Sequence, residues 1–285
     1  MAVADPSLSL SLSLSSSLSA SPPVPPRLSV IVITHNEAAR LPACLASVGF
    51  ADELIVVDSG SSDGTPALAQ AHGARVIATP DWPGFGPQKQ RALDAASGIW
   101  VLSIDADEWL DAPLAAAIQT LVATDAPAAG PACYTLGRLS AFCGQWMRAG
   151  SWYPDPCPRL FVRGRARFSD DQVHERLLFD GPSPVLPGRL LHNSMPRLGP
   201  AVGKMNQYSS ARAADLRARG RSGGLSRAIG HGLWAFVRAY LLRRGFIDGR
   251  LGFVLAVLDA EATYYRYLKL WLDPGPDGPP LPPPP

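Results

Sequence analysis

Asp105 and Asp107 sit one residue apart in VLSIDADEWLD (residues 101–111), where an apolar run breaks into four carboxylates, the others being Glu108 and Asp111. Two carboxylates so spaced at a strand end can reach one cation and a phosphate together. Hard divalent cations take oxygen ligands, often one or two carboxylates with substrate phosphates completing the shell. Acids at a strand end are also simply solvated, so the pair acquires meaning only from its surroundings. Two further apolar runs end in polar clusters. SVIVI stops at Thr34, His35, Asn36 and Glu37, and ELIVV stops at Asp58, with Asp63 close behind in a Ser/Gly loop. Such groups suit ribose hydroxyls and base N–H groups rather than bare phosphate. The expected site therefore holds a nucleoside near Thr34, Asn36, Glu37, Asp58 and Asp63, with phosphates meeting a metal at Asp105 and Asp107. Asp63 has a competing role as cap of a helix starting near Thr65.

The elements that must position these residues alternate regularly. RLSVIVITHNE is a continuous β-branched run, as a strand covered on both faces requires. AARLPACLASVGF reads as a short helix, DELIVVD as a second buried strand, TPALAQAHGA as a helix closed by Gly73, and RVIATP as a third strand. GPQKQRALDAAS, carrying Gln88, Lys89 and Arg91, is a helix, and IWVLSIDADEWL reads as one fourth strand. The order β-α-β-α-β-α-β predicts a parallel sheet with crossover helices. Ligands of such sheets bind outside the carboxyl ends of the strands, where every cluster named above falls. No Gly-x-Gly-x-x-Gly follows the first strand and no Walker A motif occurs, which weakens dinucleotide and NTPase readings. A nucleotidyltransferase would need a Gly-rich basic loop after the first strand, and THNEAAR is not one. A non-catalytic nucleotide-sugar-binding or scaffold protein on the same fold is the alternative to an enzyme.

With 285 residues, 47% of them hydrophobic, the chain supports one large domain or a domain with an appendage. A formal net charge of +2 argues against a general nucleic-acid binder. Charge is segregated, however: residues 204–270 hold twelve Lys/Arg against four Asp/Glu, a net of +8. Cys44, Cys133, Cys143 and Cys157 form no CxxC, which fits reduced thiols in a cytoplasmic setting. The Leu/Ser-rich lead (residues 1–26) lacks the basic start and continuous apolar stretch of a signal peptide and is expected to be disordered, as is the Pro-rich tail (273–285). The catalytic domain is expected over 27–203, followed by a basic amphipathic helical region over 204–272.

SVIVITHNEAARLPACLASV, ELIVVDSGSSDGT, GFGPQKQRAL and SIDADE, in this order over about Ser29 to Asp111, resemble glycosyltransferase family 2. SWYPDPCPRLF, DDQVHERL and GFIDGRLGF resemble a narrower subgroup that contains lipopolysaccharide-core β-1,4-glucosyltransferases using UDP-glucose. The resemblance implies a GT-A fold with a mixed, mainly parallel sheet, a nucleotide-sugar donor, inversion at the anomeric carbon, and a divalent cation, Mg²⁺ or Mn²⁺. It gives Asp107 to the metal, Asp105 to the ribose or the metal, and Gln88 and Lys89 to the nucleotide, with Arg91 less favoured. Inverting transfer needs a carboxylate that takes the proton of the acceptor hydroxyl. Glu175 is the first candidate, then Asp171, with Asp170 and Asp155 behind. Trp152, with Tyr153 beside it, would stack on a sugar or pack in the core, Arg159 would meet a phosphate or a core carboxylate, and His174 the diphosphate or metal or a purely structural partner.

The stretch 225–270 mixes aromatics with Arg238, Arg243, Arg244 and Arg250, and its longest apolar run, Leu251 to Leu258, is too short to span a bilayer. Helices of this type lie in a membrane interface with basic residues at anionic headgroups. The expectation is an enzyme peripheral to the inner face of the cytoplasmic membrane, acting on a saccharide or lipid-linked acceptor.

Overall fold

A computed structural model describes residues 27–124, 130–171 and 175–273. The expectations for residues 1–26, for His174 and for the tail beyond Asp273 lie outside them. Strand β1 (Leu28–Thr34) is buried along its whole length. Val30 and Val32 enter one core and Ile31 and Ile33 the other, the alternation that a two-sided strand demands. Helices α1 (Leu41–Ser47), α2 (Thr65–Ala71) and α3 (Phe85–Asp94) connect β1 to β2 (Glu53–Asp58), β3 (Arg75–Ala78) and β4 (Trp100–Ser103). The four strands pair in parallel, as expected, and their order in the sheet is β3-β2-β1-β4.

The chain then departs from the expected single strand IWVLSIDADEWL. β4 stops at Ser103, and the chain turns before β5 (Glu108–Leu110). The turn is closed twice: Glu108 N donates to Asp105 O at 3.0 Å, and Asp105 N donates to Glu108 Oε2 at 2.9 Å. β5 lies at the far edge of the sheet, against β11 (Leu190–Met195). Asp111 caps α4 (Ala112–Val122), accepting from Leu114 N at 2.9 Å. Between them run β6 (Cys133–Phe142), β7 (Gln145–Trp146) and β8 (Asp155–Val162), which complete a nine-stranded mixed sheet ordered β3-β2-β1-β4-β8-β6-β11-β5 with β7 on β6. β9 (Ala166–Phe168) and β10 (Leu177–Phe179) form a separate antiparallel pair.

Helices α5 (Leu198–Ala218), α6 (Leu225–Val237) and α7 (Gly249–Leu272) follow the sheet. α5 runs across the expected 203/204 boundary without interruption. A third core, with Phe142, Met147, Met195, Ala201, Leu255 and Leu258, fastens α5 and α7 to the sheet. Two glycines permit close approaches that set these elements. A Cβ on Gly86 would lie 2.0 Å from Ser169 O, so α3 reaches the 169–171 segment only because residue 86 has no side chain. A Cβ on Gly252 would lie 1.9 Å from Gly245 O, under the bend that joins α6 to α7. All four cysteines are free thiols. Among the described residues no helix is long and apolar enough to cross a membrane.

Candidate active site

A cleft of about 570 Å³ opens over the carboxyl ends of the parallel strands. Thr34, His35 and Glu37 reach it from the end of β1, Ser59 from the end of β2, and Asp105 to Asp107 from the turn after β4. Arg138 of β6, His192 of β11 and Lys204 of α5 close it from the other half of the molecule. Trp82 and Phe85, in edge-to-face contact at 4.9 Å, form an aromatic wall at the start of α3.

The four carboxylates of VLSIDADEWLD separate into distinct jobs. Glu108 is fully buried and accepts from Arg138 Nη1 at 3.0 Å and Arg159 Nη2 at 3.1 Å. Asp111 is the helix cap. Asp105 is gripped on both oxygens, by Lys89 Nζ at 2.9 Å and by Arg159 Nη2 at 2.8 Å. Burial alone would raise its pKa, yet Arg159 and Lys89 outweigh burial and hold the carboxyl well below the usual range. Arg159 therefore bridges Asp105 and Glu108. Asp107 faces His192 Nε2 at 3.5 Å and Arg40 Nη1 at 3.3 Å. Its pKa is also lowered: burial opposes the shift, and the His192 hydrogen bond and charge drive it. Ser140 Oγ stands 3.0 Å from His192 Nδ1, so the ring's other nitrogen is held toward Asp107.

The residues expected around the nucleoside divide. Thr34 and Glu37 line the cleft. Glu37 lies 3.0 Å from Arg40, and burial, its largest influence, raises its pKa against that cation. Asn36, at φ 57°, binds the neighbouring loop, its Oδ1 accepting from Ser62 N at 2.8 Å. Asp58 accepts from Thr34 Oγ1 at 2.9 Å, Ser61 N at 2.9 Å, Gly60 N at 3.1 Å and Ser61 Oγ. These donors fill the roughly four acceptor sites of a carboxylate, and Ser59 beside it faces the cleft. Asp63 receives Thr65 Oγ1, Ala38 N at 3.0 Å and Thr65 N at 3.1 Å, bonds that lower its pKa and hold the start of α2. Gln88 is fully buried, donating to Ser59 Oγ at 2.8 Å and Thr79 Oγ1 at 2.6 Å. Arg91 forms a paired contact with Asp81 at 2.7 and 2.9 Å on the surface.

Glu175 Oε1 is 2.7 Å from Lys89 Nζ, which joins it to Asp105 through a single ammonium. Asp171 accepts from Ser169 Oγ at 2.8 Å, its backbone oxygen accepts from Gly86 N, and Asp170 is exposed beside it. Asp155 pairs with Arg138 Nε at 2.8 Å. None of these four carboxylates lines the cleft itself. Trp152 does not line it either: the half-buried ring packs edge-to-face on Phe142 at 5.8 Å, against the third core. Tyr153 Oη accepts from Arg189. Sequence reasoning missed His192, Lys204, Arg138, Arg40, Trp82 and Phe85. The last two stood in a Pro/Gly loop after a strand, where exposed aromatics are a usable signal. The others arrive from elements whose place in the sheet no local pattern encodes.

The profile of glycosyl transferase family 2 matches residues 29–135. A glycosyltransferase of Rickettsia prowazekii is 32% identical over 255 residues, covering 86% of this chain and 86% of its own. The chain belongs to glycosyltransferase family 2. The lipopolysaccharide core biosynthesis glycosyltransferase LpsC of Rhizobium meliloti is 31% identical over 254 residues, 84% of this chain and 93% of that one. Among solved structures, glucosyl-3-phosphoglycerate synthase from M. tuberculosis, in complex with Mn²⁺, UDP and glucosyl-3-phosphoglycerate, is similar with a TM-score of 0.42. Its identity is 23%, and the match covers 70% of this chain and 81% of that one. S. aureus TarS 1–349 is similar with a TM-score of 0.40 at 14% identity, over 86% and 83% of the two chains. This family 2 protein is a glycosyltransferase of α/β class, built on a mixed sheet whose first four strands run parallel.

Proposed function

We propose that this glycosyltransferase moves glucose from UDP-glucose, with inversion, onto a membrane-linked saccharide such as lipopolysaccharide inner core, at the inner face of the cytoplasmic membrane. The observation that carries the reading is Asp107 facing His192 in the cleft, next to an Asp105 held ionised by two cations. The choice of acceptor leans on the similarity to LpsC. A carboxylate and an imidazole form a two-ligand set, and no larger His/Cys/Asp/Glu cluster exists among the described residues. That set fits a cation that keeps substrate phosphates and waters in its shell. The Ser140 contact on Nδ1 matches the second-shell support that metal-binding imidazoles carry. Asp107 and His192 would hold Mg²⁺ or Mn²⁺, which when bound supplies charge neutralisation to the leaving diphosphate.

The chain's own residues supply the remainder. Lys89 and Arg159 keep Asp105 a carboxylate, fit to accept from the ribose or to complete the metal shell. Trp82 and Phe85 exclude water from one side and offer an aromatic face to the nucleoside or a sugar ring. Glu175 accepts the acceptor hydroxyl's proton, with Asp171 the second choice; Glu175 is preferred because one ammonium links it to Asp105. The membrane reading is supported by an exposed apolar face on the C-terminal helices: Leu233 is 64% exposed, Leu242 62%, Ile247 59% and Trp234 56%. Patches of this kind mark interaction or membrane surfaces, and the surrounding region carries the net +8.

The experiment is a hydrolysis and transfer screen across nucleotide sugars, with Mg²⁺, Mn²⁺ or EDTA. UDP-glucose should turn over best and only with a divalent cation. Asp107→Asn should abolish turnover in a folded protein, since the amide keeps the shape and loses the charge. Equal turnover in EDTA and in metal would remove the metal role, and preference for another donor would remove UDP-glucose.

A further inference from the structure

A second cavity of about 200 Å³ lies among the C-terminal helices, with the room of roughly six or seven liquid waters. Ser151, Arg238, Arg243, Asp259, Thr263 and Arg266 supply its polar wall, and none of them lines the catalytic cleft. Three guanidinium-bearing residues therefore face one carboxylate. Asp259 is already engaged, since Ser151 Oγ donates to its Oδ2. Arg238 and Arg243 line the same cavity with their side chains open to solvent, and among the described residues neither makes an ion pair or side-chain hydrogen bond. The Nε–H of Arg266 is buried with no acceptor among the described residues. Surplus positive charge beside a buried donor suits an anion that reaches the cavity from solvent.

The backbone is shaped for this convergence. In an α-helix, residues five apart point about 140° away from one another. After α6 the chain forms a π turn over Arg238–Leu242, and Arg243 N donates to Arg238 O at 2.8 Å. That wider turn lets both arginines line the cavity. Arg244 follows at φ 57°, in the left-handed region that a non-glycine residue enters at a cost. It lines an adjoining cavity with Arg243, Leu242 and Tyr153. Leu241, Leu242, Phe246 and Ile247 are exposed on the same bend.

We propose that the cavity between the π turn and α7 binds a phosphate monoester, through Arg238 and Arg243 with Ser151 and Thr263 hydroxyls beside them. Planar guanidiniums bind phosphate oxygens in paired, charge-assisted hydrogen bonds, and two or three of them match a phosphate dianion. The phosphate comes either from a lipid headgroup or from a soluble or saccharide-borne phosphate. Only that choice of source rests on the membrane-linked acceptor reading. The site itself stands apart from donor chemistry.

The test compares the full chain with an Arg238→Gln/Arg243→Gln variant, both saturated with UDP and Mg²⁺ so that the cleft is filled. Inorganic phosphate is titrated at constant ionic strength while thermal unfolding is followed. The wild type should gain about 3 to 5 °C when phosphate exceeds its dissociation constant tenfold. The variant should lose that gain while binding UDP normally, and Arg238→Lys/Arg243→Lys should recover part of it. No phosphate effect on the wild type, or an equal effect in the Gln variant, overturns the proposal. A second arm uses phosphatidylcholine vesicles carrying phosphatidic acid, a phosphate monoester, or phosphatidylglycerol, a diester, at equal charge. Arginine-dependent preference for phosphatidic acid assigns the phosphate to a lipid. Arginine-dependent protection by free phosphate without that preference assigns it to a soluble or saccharide phosphate. Failure of the donor screen would leave both arms intact.

Discussion

Lys89→Met isolates the charge arrangement at the centre of the site. The ammonium is almost fully buried and sits 2.9 Å from Asp105 Oδ1 and 2.7 Å from Glu175 Oε1. Methionine fills nearly the same volume, so packing is preserved and the charge alone is removed. Two carboxylates are then left facing one another, with Arg159 still holding the far oxygen of Asp105. Removing one partner of a buried ion pair costs about 3 to 5 kcal/mol. Asp105 keeps a cation and its side chain is 31% exposed, which places this case near the lower limit, about 3 kcal/mol. For a domain of this size each kcal/mol moves the unfolding midpoint by about 2 to 4 °C, so a fall of about 6 to 12 °C is expected at neutral pH. The deficit should shrink as pH falls, because a proton on either carboxylate relieves the repulsion. Glu175→Gln added to Lys89→Met should recover much of the loss, giving a positive coupling in a double-mutant cycle. Thermal unfolding of the four proteins at two pH values is the assay. A single variant within 2 °C of wild type, or additive behaviour of the pair, would refute the claim that Lys89 is the bridge between the two carboxylates.

Glu175→Gln by itself should lower transfer by about 10²- to 10⁴-fold while leaving UDP affinity unchanged, as measured by steady-state kinetics and calorimetry; near-normal turnover would move the base to Asp171, Asp170 or Asp155. Flotation with anionic vesicles should weaken as salt rises, since each basic residue near the surface contributes about 1 kcal/mol. Leu233→Ser with Leu242→Ser and Ile247→Ser should weaken it independently of salt, and wild type remaining soluble at low salt would remove the membrane reading. Burial would raise the pKa of Glu53, but bonds from Ser29 and Ser97 and the Arg75 charge hold it low. A carboxylate depressed in the folded state contributes stability that is complete above its unfolded value and is lost as pH falls through its folded value. Urea titrations from about pH 6 down to about pH 3 should therefore show stability declining in acid, with a shallower decline in Glu53→Gln.

Much of the first half was legible because its signals are local. A β-branched run such as SVIVI needs cover on both faces, and alternation with helices makes parallel pairing the natural consequence. The placement of Thr34, Glu37, Asp105 and Asp107 at one rim then follows from strand direction. The break after Ser103 was not legible, because Glu108 looks like a surface acid until Arg138 and Arg159 arrive to neutralise it. Asp58 read as a ligand and Asp63 as a ligand or a cap; that Thr34 and Ala38, from the end of β1 and the loop after it, also donate to them is set by the fold. Trp152 read equally as a sugar platform or a packing residue, and its contact with Phe142 is set by the fold.

The amino-acid sequence alone determined the βα order, the rim on which chemistry would collect, the family resemblance, and the segregation of basic charge beyond residue 204. These depend on neighbours in the chain, on periodicity and on composition. Tertiary structure alone decided that His192 faces Asp107, that Lys89 ties Glu175 to Asp105, and that a π turn gathers Arg238 and Arg243. Each of these joins residues through elements whose mutual placement is set by packing, by the β6–β11 pairing, by the absence of a side chain at Gly86, and by the close fit at Gly252. A charge or an imidazole has no chemistry until its partner is within a few ångströms, and sequence separation carries no measure of that distance.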